Sequence, residues 1–174
     1  EALREIFAGA VEGEVTGTPR ASFDVAAMNR YLDGDDAATR RRVFDILARP
    51  EFAYDFEMDR PTHRARVFEW LKILADEGLG RAAFPAEYGG EGDVAKSIAI
   101  FESLGFFDTS LMVKFGVHFG LFGGSIYSLG TERHHRAYLP DVMALRLPGC
   151  YAMTEGGHGS NVRGIETTAT YDPE

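Results

Sequence analysis

Apolar residues recur at helical spacing along most of the chain, most clearly in the stretch DRPTHRARVFEWLKILADEG. Val67, Leu71 and Leu74 follow that spacing and therefore share one face of a helix. Pro61 suits the first turn, because the N–H that proline lacks has no helical partner there. Gly78 suits the end, because glycine readily adopts the left-handed conformation that closes many helices. The pattern predicts an amphipathic helix between these two residues.

Two further helices are predicted, one before and one well after this stretch. Asp36 is a suitable N-cap for a helix that places Val43 and Leu47 on one face. The later helix begins near Thr131 and ends before Pro148. We therefore expect one helix after Asp36 and another between about Thr131 and Pro148.

A helix is also predicted near Val94, after the loop FPAEYGGEGD, whose proline and glycines favour turns. Ile98, Phe101 and Gly105 are spaced along one stripe of this helix. The stripe predicts that this helix is amphipathic.

The most apolar predicted helix covers residues 110–129. Because it is apolar nearly all round, we expect it at the centre of a bundle. Gly116, Gly120 and Gly124 recur every four residues and so lie on one face. Two interpretations stay open: close contact with a neighbouring helix, or a smooth wall beside a ligand. A leucine at Gly120 is expected to overpack and to cost more stability than one at Gly34, which lies in an exposed turn.

The residue composition of the chain changes after Pro148. The runs GCYAMTE and GIETTATYD are rich in β-branched and aromatic residues and are typical of strands. The predicted fold class is therefore mainly α, with an N-terminal helical bundle leading into the first strands of a β domain. We expect a helical domain over residues 1–147 and the start of a truncated β domain over residues 148–174. Residues before about Ala21 are expected to be weakly ordered or helical at most, and both ends of the chain look cut.

Composition narrows the possible functions. The formal net charge of −9 argues against a nucleic-acid partner, which would need a basic face, and the arginines at residues 40–42 are interpreted as a solvated helix face. No signal peptide opens the chain, and Lys114 and His118 interrupt the longest apolar stretch, so no membrane span is predicted. The single cysteine, Cys150, rules out an intrachain disulfide and is expected to be a small buried residue.

Glycines and small polar residues are concentrated in CYAMTEGGHGSNVRGIETTATYD. No G-x-G-x-x-G opens a helix here and no G-K-[ST] follows, so the known nucleotide motifs are missing from this sequence. His134, His135 and His158 lack the spacing of a metal site, and we predict none. Glu155 and His158 are expected to form a hydrogen bond that shapes the loop.

Three polar residues near these glycines suit recognition better than catalysis. Thr154, Ser160 and Asn161 offer hydroxyl and amide groups beside flexible backbone. Such groups suit neutral hydrogen bonding to a heteroaromatic ring or a phosphate, and nothing in the sequence activates Ser160 as a nucleophile.

The segment YAMTEGGHGSNVRGIETTATYD resembles the flavin-contacting segment of acyl-CoA oxidases, which are relatives of the acyl-CoA dehydrogenases. The dehydrogenases typically show Thr-Glu-Pro-x-x-Gly-Ser, whereas this chain has TEGGHGS, without the proline. This departure, together with the following RGIETTATYD, favours the oxidase branch. LADEGLGRAAFPAEYGGEG and LGTERHHRAYLPDV add weaker similarity, and the resemblance begins near Tyr31.

The resemblance implies the helical fold of this family and an FAD site. Tyr151, Met153 and Thr154 would approach the isoalloxazine ring, with the Thr154 hydroxyl hydrogen-bonded to the flavin. Gly159 and Ser160 would lie where the flavin and the CoA thioester arm meet, so both are expected to contact the cofactor and Ser160 also the substrate. The helix with the spaced glycines would lie near the acyl-chain cavity, which favours the smooth-wall interpretation.

The implied activity is α,β-dehydrogenation of a fatty acyl-CoA, with electrons passed through FAD to dioxygen to give hydrogen peroxide. The glutamate that removes the α-proton belongs to a C-terminal domain in this family. Nothing in this chain matches it, Glu155 included, so no catalytic residue is predicted and the chain alone is expected to be inactive.

The resemblance also implies a role in fatty-acid β-oxidation and a homodimeric intact protein. Its location would be peroxisomal in a eukaryote and cytoplasmic in a bacterium, and it is not expected to be secreted. Two alternatives stay open: a dehydrogenase of the same fold that uses a protein electron acceptor, and a non-catalytic helical module that serves association.

Overall fold

The computed structural model describes residues 23–173, so the expectation for the residues before Ala21 lies outside it. The described chain is a succession of helices joined by short loops and 3-10 turns. The helices are α1 (Val25–Asp33), α2 (Ala37–Leu47), α3 (Arg60–Asp76), α4 (Val94–Gly105), α5 (Thr109–Phe115), a π-helical segment (Gly116–Gly123), α6 (Gly124–Leu129) and α7 (Glu132–Met143). The predicted mainly α fold is confirmed.

Helix α3 forms as its sequence predicts. Its N-cap, Asp59, accepts a hydrogen bond from the backbone N–H of Thr62 at 2.8 Å, which satisfies one of the free donors of the first turn. Gly78 follows the last turn with a φ of 79°, in the left-handed region. The expected core face is buried, with Val67, Leu71 and Leu74 at most 2% exposed.

Trp70 lies at the centre of the core and links α3 to the turn after α2. The indole is fully buried and stacks on Phe52, with ring centroids 6.0 Å apart. Its Nε1–H donates to the carbonyl oxygen of Glu51 at 2.8 Å, so the polar atom of this large side chain is satisfied. Burial and hydrogen bonding together fix the turn against α3.

Asp108 joins a second loop to the bundle. Its side chain caps α5 by accepting from the N–H of Leu111 at 2.6 Å, and it also accepts from the Tyr54 hydroxyl at 3.0 Å. Because the carboxylate is only 8% exposed, these bonds replace the water it has lost. The loop that carries Tyr54 is thereby held against the start of α5.

In helix α4, the apolar stripe predicted from the spacing of Ile98 and Phe101 faces away from the core. Ile98 is 61% exposed and Phe101 is 38% exposed. The buried face is a different one, made of Ala99, Ile100, Ser103 and Leu104. Because α4 is apolar on both faces, periodicity alone does not tell which face packs into the core.

The predicted helix over residues 110–129 is present, but its middle is π-helical. Leu111, Phe115 and Phe119 are buried, whereas Leu121 and Leu129 are 48% and 85% exposed. The expectation of a fully surrounded central helix is therefore wrong for one side of it. No helix within residues 23–173 is long and apolar enough to span a membrane.

The residues after Pro148 do not form the expected strands. Within residues 148–173, the structure contains one isolated antiparallel bridge, between Glu155 and His158, and one 3-10 turn, Val162–Gly164. Cys150, expected to be buried in a strand, is exposed. β-branched and aromatic residues suit a pleated surface but do not supply the pairing partner, and a two-stranded hairpin alone is marginal.

Candidate functional site

The residues predicted to contact a cofactor lie on the C-terminal segment, residues 148–173. Tyr151 and Met153 are 44% and 41% exposed, and Thr154, Gly159 and Ser160 are also exposed. Tyr151, Met153 and Thr154 precede the bridge between Glu155 and His158, whereas Gly159 and Ser160 follow it. The structure therefore presents all five on one surface segment, on the two arms of one turn.

The Glu155 carboxylate organises this turn. Oε1 accepts from the backbone N–H of Thr167 at 2.8 Å and from the Thr167 hydroxyl, and Oε2 accepts from the N–H of Glu166 at 2.8 Å. The Thr167 hydroxyl, followed by the two backbone donors, lowers the pKa of Glu155 to about 2. A carboxylate held in its charged form by several donors is a poor general base.

His158 completes the set of partners around Glu155. Its Nε2 lies 3.0 Å from Oε2 of Glu155, and the bridge between the two residues closes the turn. The expected loop-shaping hydrogen bond is confirmed. The bonds from Glu166 and Thr167 were not predicted, because their partners lie eleven and twelve residues away in sequence.

A second anchor holds the start of the C-terminal segment. The backbone N–H of Gly149 donates to Nδ1 of His118 at 3.3 Å, and Nε2 of His118 lies 2.9 Å from the carbonyl oxygen of Val142. Within residues 23–173, no other hydrogen bond involves the backbone of residues 148–154. His118 therefore connects the π-helical segment, the last turn of α7 and the C-terminal segment.

The partners of His118 define its tautomer. A backbone N–H can only donate, so Nδ1 must be unprotonated, and a carbonyl can only accept, so Nε2 must carry the proton. The ring is only 2% exposed, and this burial lowers the pKa of His118. The neutral Nε2–H form is the one that satisfies both neighbours.

An apolar cavity of about 490 Å³ lies beside α4, α5 and the π-helical segment. The two side chains of the exposed α4 stripe, Ile98 and Phe101, line it, together with Val113 and Phe119. Among the described residues that line it, Ser97 alone carries a hydroxyl group. A cavity of this size and character suits an aliphatic ligand.

The spaced glycines have different surroundings. Gly116 and Gly120 both line the cavity, whereas Gly124 does not. A Cβ at Gly116 would approach the Phe101 ring to 2.6 Å, but a Cβ at Gly120 would meet nothing within 4 Å. Gly120 thus forms open wall with room for a Cβ, which argues against the expectation that a larger side chain there overpacks the bundle.

Sequence reasoning missed His118 and the distant partners of Glu155. A histidine inside an otherwise apolar helix was the signal for His118, because such a ring needs polar partners. Within residues 23–173, no group of three or more His, Cys, Asp and Glu side chains is arranged to hold a metal ion.

Comparison with known families identifies the helical region. The family model described as Acyl-CoA dehydrogenase, N-terminal domain, matches residues 37–146. The chain belongs to the acyl-CoA dehydrogenase and oxidase family. The matched residues run from α2 to just beyond α7, so this N-terminal domain includes the π-helical segment and His118.

Relatives of this acyl-CoA dehydrogenase and oxidase domain carry oxidase names. The chain is 36% identical over 167 residues to the putative peroxisomal acyl-coenzyme A oxidase 3.2 of Arabidopsis thaliana. The aligned region covers 87% of this chain and 24% of the relative. It is 38% identical over 148 residues to peroxisomal acyl-coenzyme A oxidase 2 of the same plant (84% and 21%). It is 31% identical over 160 residues to human peroxisomal acyl-coenzyme A oxidase 3 (88% and 22%).

The chain thus spans less than a quarter of the length of these relatives. No solved structure matches it. These matches confirm the resemblance to the acyl-CoA oxidase family that was inferred from the sequence.

Proposed function

We propose that this chain is the N-terminal part of an FAD-dependent acyl-CoA oxidase that acts on fatty acyl-CoA thioesters. The observation that carries the proposal is the match of residues 37–146 to the family, together with relatives named acyl-CoA oxidases. The TEGGHGS turn, without the dehydrogenase-type proline, supports the oxidase branch over a dehydrogenase. The domain boundary near residue 147 belongs to the same proposal.

The C-terminal segment has the chemistry that a flavin edge needs. Backbone groups of residues 150–154 make no hydrogen bond within the described residues, and the Thr154 hydroxyl lies on the same exposed stretch. A Cβ at Gly156, Gly157 or Gly159 would meet nothing within 4 Å, so the backbone there is open to close approach. These features fit an isoalloxazine ring and a pyrophosphate, which combine an apolar surface with several acceptors.

Within this proposal, the side chains divide the work of binding. Tyr151 and Met153 would cover the flavin ring, and the Thr154 hydroxyl would donate to one of its acceptors. Gly159 and Ser160 would lie at the junction with the thioester arm, where the Ser160 hydroxyl would contact the substrate. When bound, FAD would supply the acceptor for the electrons removed from the acyl chain.

Glu155 has a structural part in this arrangement. Its carboxylate is occupied by Thr167, Glu166 and His158, so it would hold the turn in shape rather than remove the α-proton. The proposal therefore assigns no catalytic base to this chain. We also propose that the intact protein is a homodimer and that it is peroxisomal, as the names of its plant and human relatives state for those proteins.

The apolar cavity beside α4 is proposed to take the acyl chain. In the full-length protein, Gly120→Leu should fill part of its wall and lower kcat/KM for long-chain acyl-CoA more than for short-chain acyl-CoA. Gly124→Leu is the matched control, because a Cβ there also meets nothing within 4 Å but Gly124 does not line the cavity. Equal chain-length profiles for the two variants would remove the cavity from the proposal.

The oxidase assignment is tested by the fate of the electrons. The full-length protein is supplied with an acyl-CoA in air, without an artificial acceptor, and hydrogen peroxide is measured. We expect peroxide to form in step with product. If the flavin stays reduced in air and only an added acceptor restores turnover, the protein is a dehydrogenase. If no flavin binds, the chain is a non-catalytic module of this fold.

A further inference from the structure

His118 holds the only described hydrogen bond to the backbone of residues 148–154. Beyond this stretch, the next polar anchor is Glu155. Residues 150–154, with the predicted flavin contacts Tyr151, Met153 and Thr154, are therefore suspended between two fixed points. Their position relative to the helices depends on the first of these.

The first anchor is built with close steric fit as well as a hydrogen bond. A Cβ at Gly149 would overlap the Phe122 ring, so the glycine allows the backbone to reach the helix surface. The Phe122 ring in turn stacks on His118, with centroids 5.9 Å apart and planes at 29°. Glycine, phenylalanine and histidine thus form one contact between the segment and the π-helical turn.

The other nitrogen of the ring fixes its orientation. Nε2–H donates to the carbonyl oxygen of Val142, a buried residue in the last turn of α7. Because both ring nitrogens are engaged, the imidazole is oriented by α7 and passes that orientation to Gly149. The π-helical turn that carries His118 is a rare conformation that occurs often at functional sites.

We propose that His118 is a positioning residue, which sets the placement of residues 150–154 for flavin binding through its hydrogen bond to Gly149. This inference rests on the proposed function. His118 does not touch the cofactor in this scheme and takes part in no chemical step. Its effect is to fix, in advance of binding, a stretch that has no other described backbone anchor before Glu155.

Two substitutions separate the two bonds of the ring. In His118→Asn, the amide oxygen can replace Nδ1 as the acceptor for Gly149, but nothing reaches Val142. In His118→Gln, the longer side chain can donate to Val142 in place of Nε2, but the acceptor for Gly149 is lost. Both variants remove the ring and one hydrogen bond, so each is a control for the other.

The first measurement is hydrogen exchange of the peptide around Gly149 in the full-length protein without FAD. We expect the Gly149 amide to exchange about fivefold faster in His118→Gln and at nearly the wild-type rate in His118→Asn, because one hydrogen bond differs between them. Equal exchange in the two variants would overturn the proposed anchor. This result does not depend on whether FAD binds.

The second measurement is the dissociation constant of FAD, with the flavin absorbance spectrum recorded for the bound form. We expect His118→Gln to weaken FAD binding about fivefold and His118→Asn to remain within about twofold of the wild type. Equal loss in both variants would mean that ring packing, not the Gly149 bond, matters, and would sink the positioning role. If the wild type binds no FAD, the proposed function fails, and with it the flavin-binding part of this proposal.

Discussion

The helical body, residues 37–147, and the C-terminal segment are held in place by different forces. In the body, Trp70, Leu104 and Leu111 are fully buried, and the helices satisfy their own backbone groups. No residue of the C-terminal segment is buried, and hydrogen bonds to His118 and around Glu155 fix its course. The body is therefore stabilised by burial, and the segment by a few polar contacts.

This difference explains why the candidate chemistry lies where it does. Backbone groups that are already paired in a helix cannot bind a ligand, whereas those of residues 150–154 make no hydrogen bond within residues 23–173. Because residues 150–154 are held only at their two ends, by Gly149 and Glu155, this stretch has little intrinsic stability of its own. Variants in the two regions should accordingly affect different measurements.

The largest effect is expected in the core of the body. Trp70→Ala should lower the free energy of unfolding by about 3–5 kcal/mol, because it removes a fully buried indole and leaves a cavity. Tyr171→Ala is the control in the C-terminal segment: this ring is 87% exposed, and its removal should change stability by less than about 0.5 kcal/mol. Urea denaturation followed by circular dichroism measures both, and similar losses would contradict the contrast.

The next largest effect is a difference in stability between alanine substitutions at two glycines, Gly34 and Gly120. Gly34 has a φ of 56° and a ψ of −147°, a region almost exclusive to glycine, so Gly34→Ala should cost about 1–3 kcal/mol. Gly120 has helical neighbours and open space around it, so Gly120→Ala should be neutral or stabilise by up to about 1 kcal/mol. Thermal unfolding of the two variants is the measurement. A larger loss at Gly120 would restore the overpacking expectation.

A smaller effect is expected at Thr154 and on a different property. In the full-length protein, Thr154→Val keeps the shape and deletes the hydroxyl, which should weaken FAD binding by about 0.5–1.5 kcal/mol. The melting temperature of the protein without FAD should not change, because Thr154 is exposed. Titration with FAD measures the affinity. Unchanged affinity and an unchanged rate of flavin reduction would take Thr154 out of the site.

The smallest and most local effect is expected when low pH protonates Glu155. The pKa of Glu155 is about 2 in the folded chain, against an ordinary value of 4.5. The stabilisation that its hydrogen bonds give to the turn is therefore fully present above about pH 4.5 and is lost as the pH falls through about 2. The amide chemical shift of Thr167 should follow this titration, and Glu155→Gln should abolish it. A midpoint near 4.5 would show that the carboxylate is not held as described.

Much of the helical body was predictable because its determinants are local. Pro61 and Gly78 mark the ends of α3, and the spacing of Val67 and Leu71 marks its buried face, whatever packs against that face. The buried face of α4 was not predictable, since its sequence offers two apolar faces. One face, with Ile100 and Leu104, packs into the core, and the other, with Ile98 and Phe101, lines the cavity.

For the candidate site, the sequence predicted the local contacts but not the distant ones. The TEGGHGS turn and the bond between Glu155 and His158 are local, and both followed from the sequence. The expected strands at residues 149–155 and 164–172 did not form within the described chain, because strand-forming residues need a partner that local sequence does not supply.

The amino-acid sequence by itself determined the mainly helical fold, the ends of its clearest helices and the family to which the chain belongs. These depend on caps, turns and spacing, which act over a few residues. Only the tertiary structure decided that Gly120 lines a cavity, that Thr167 holds Glu155 and that His118 holds Gly149. Each of these links residues that are distant in sequence, and such contacts arise only when the chain packs.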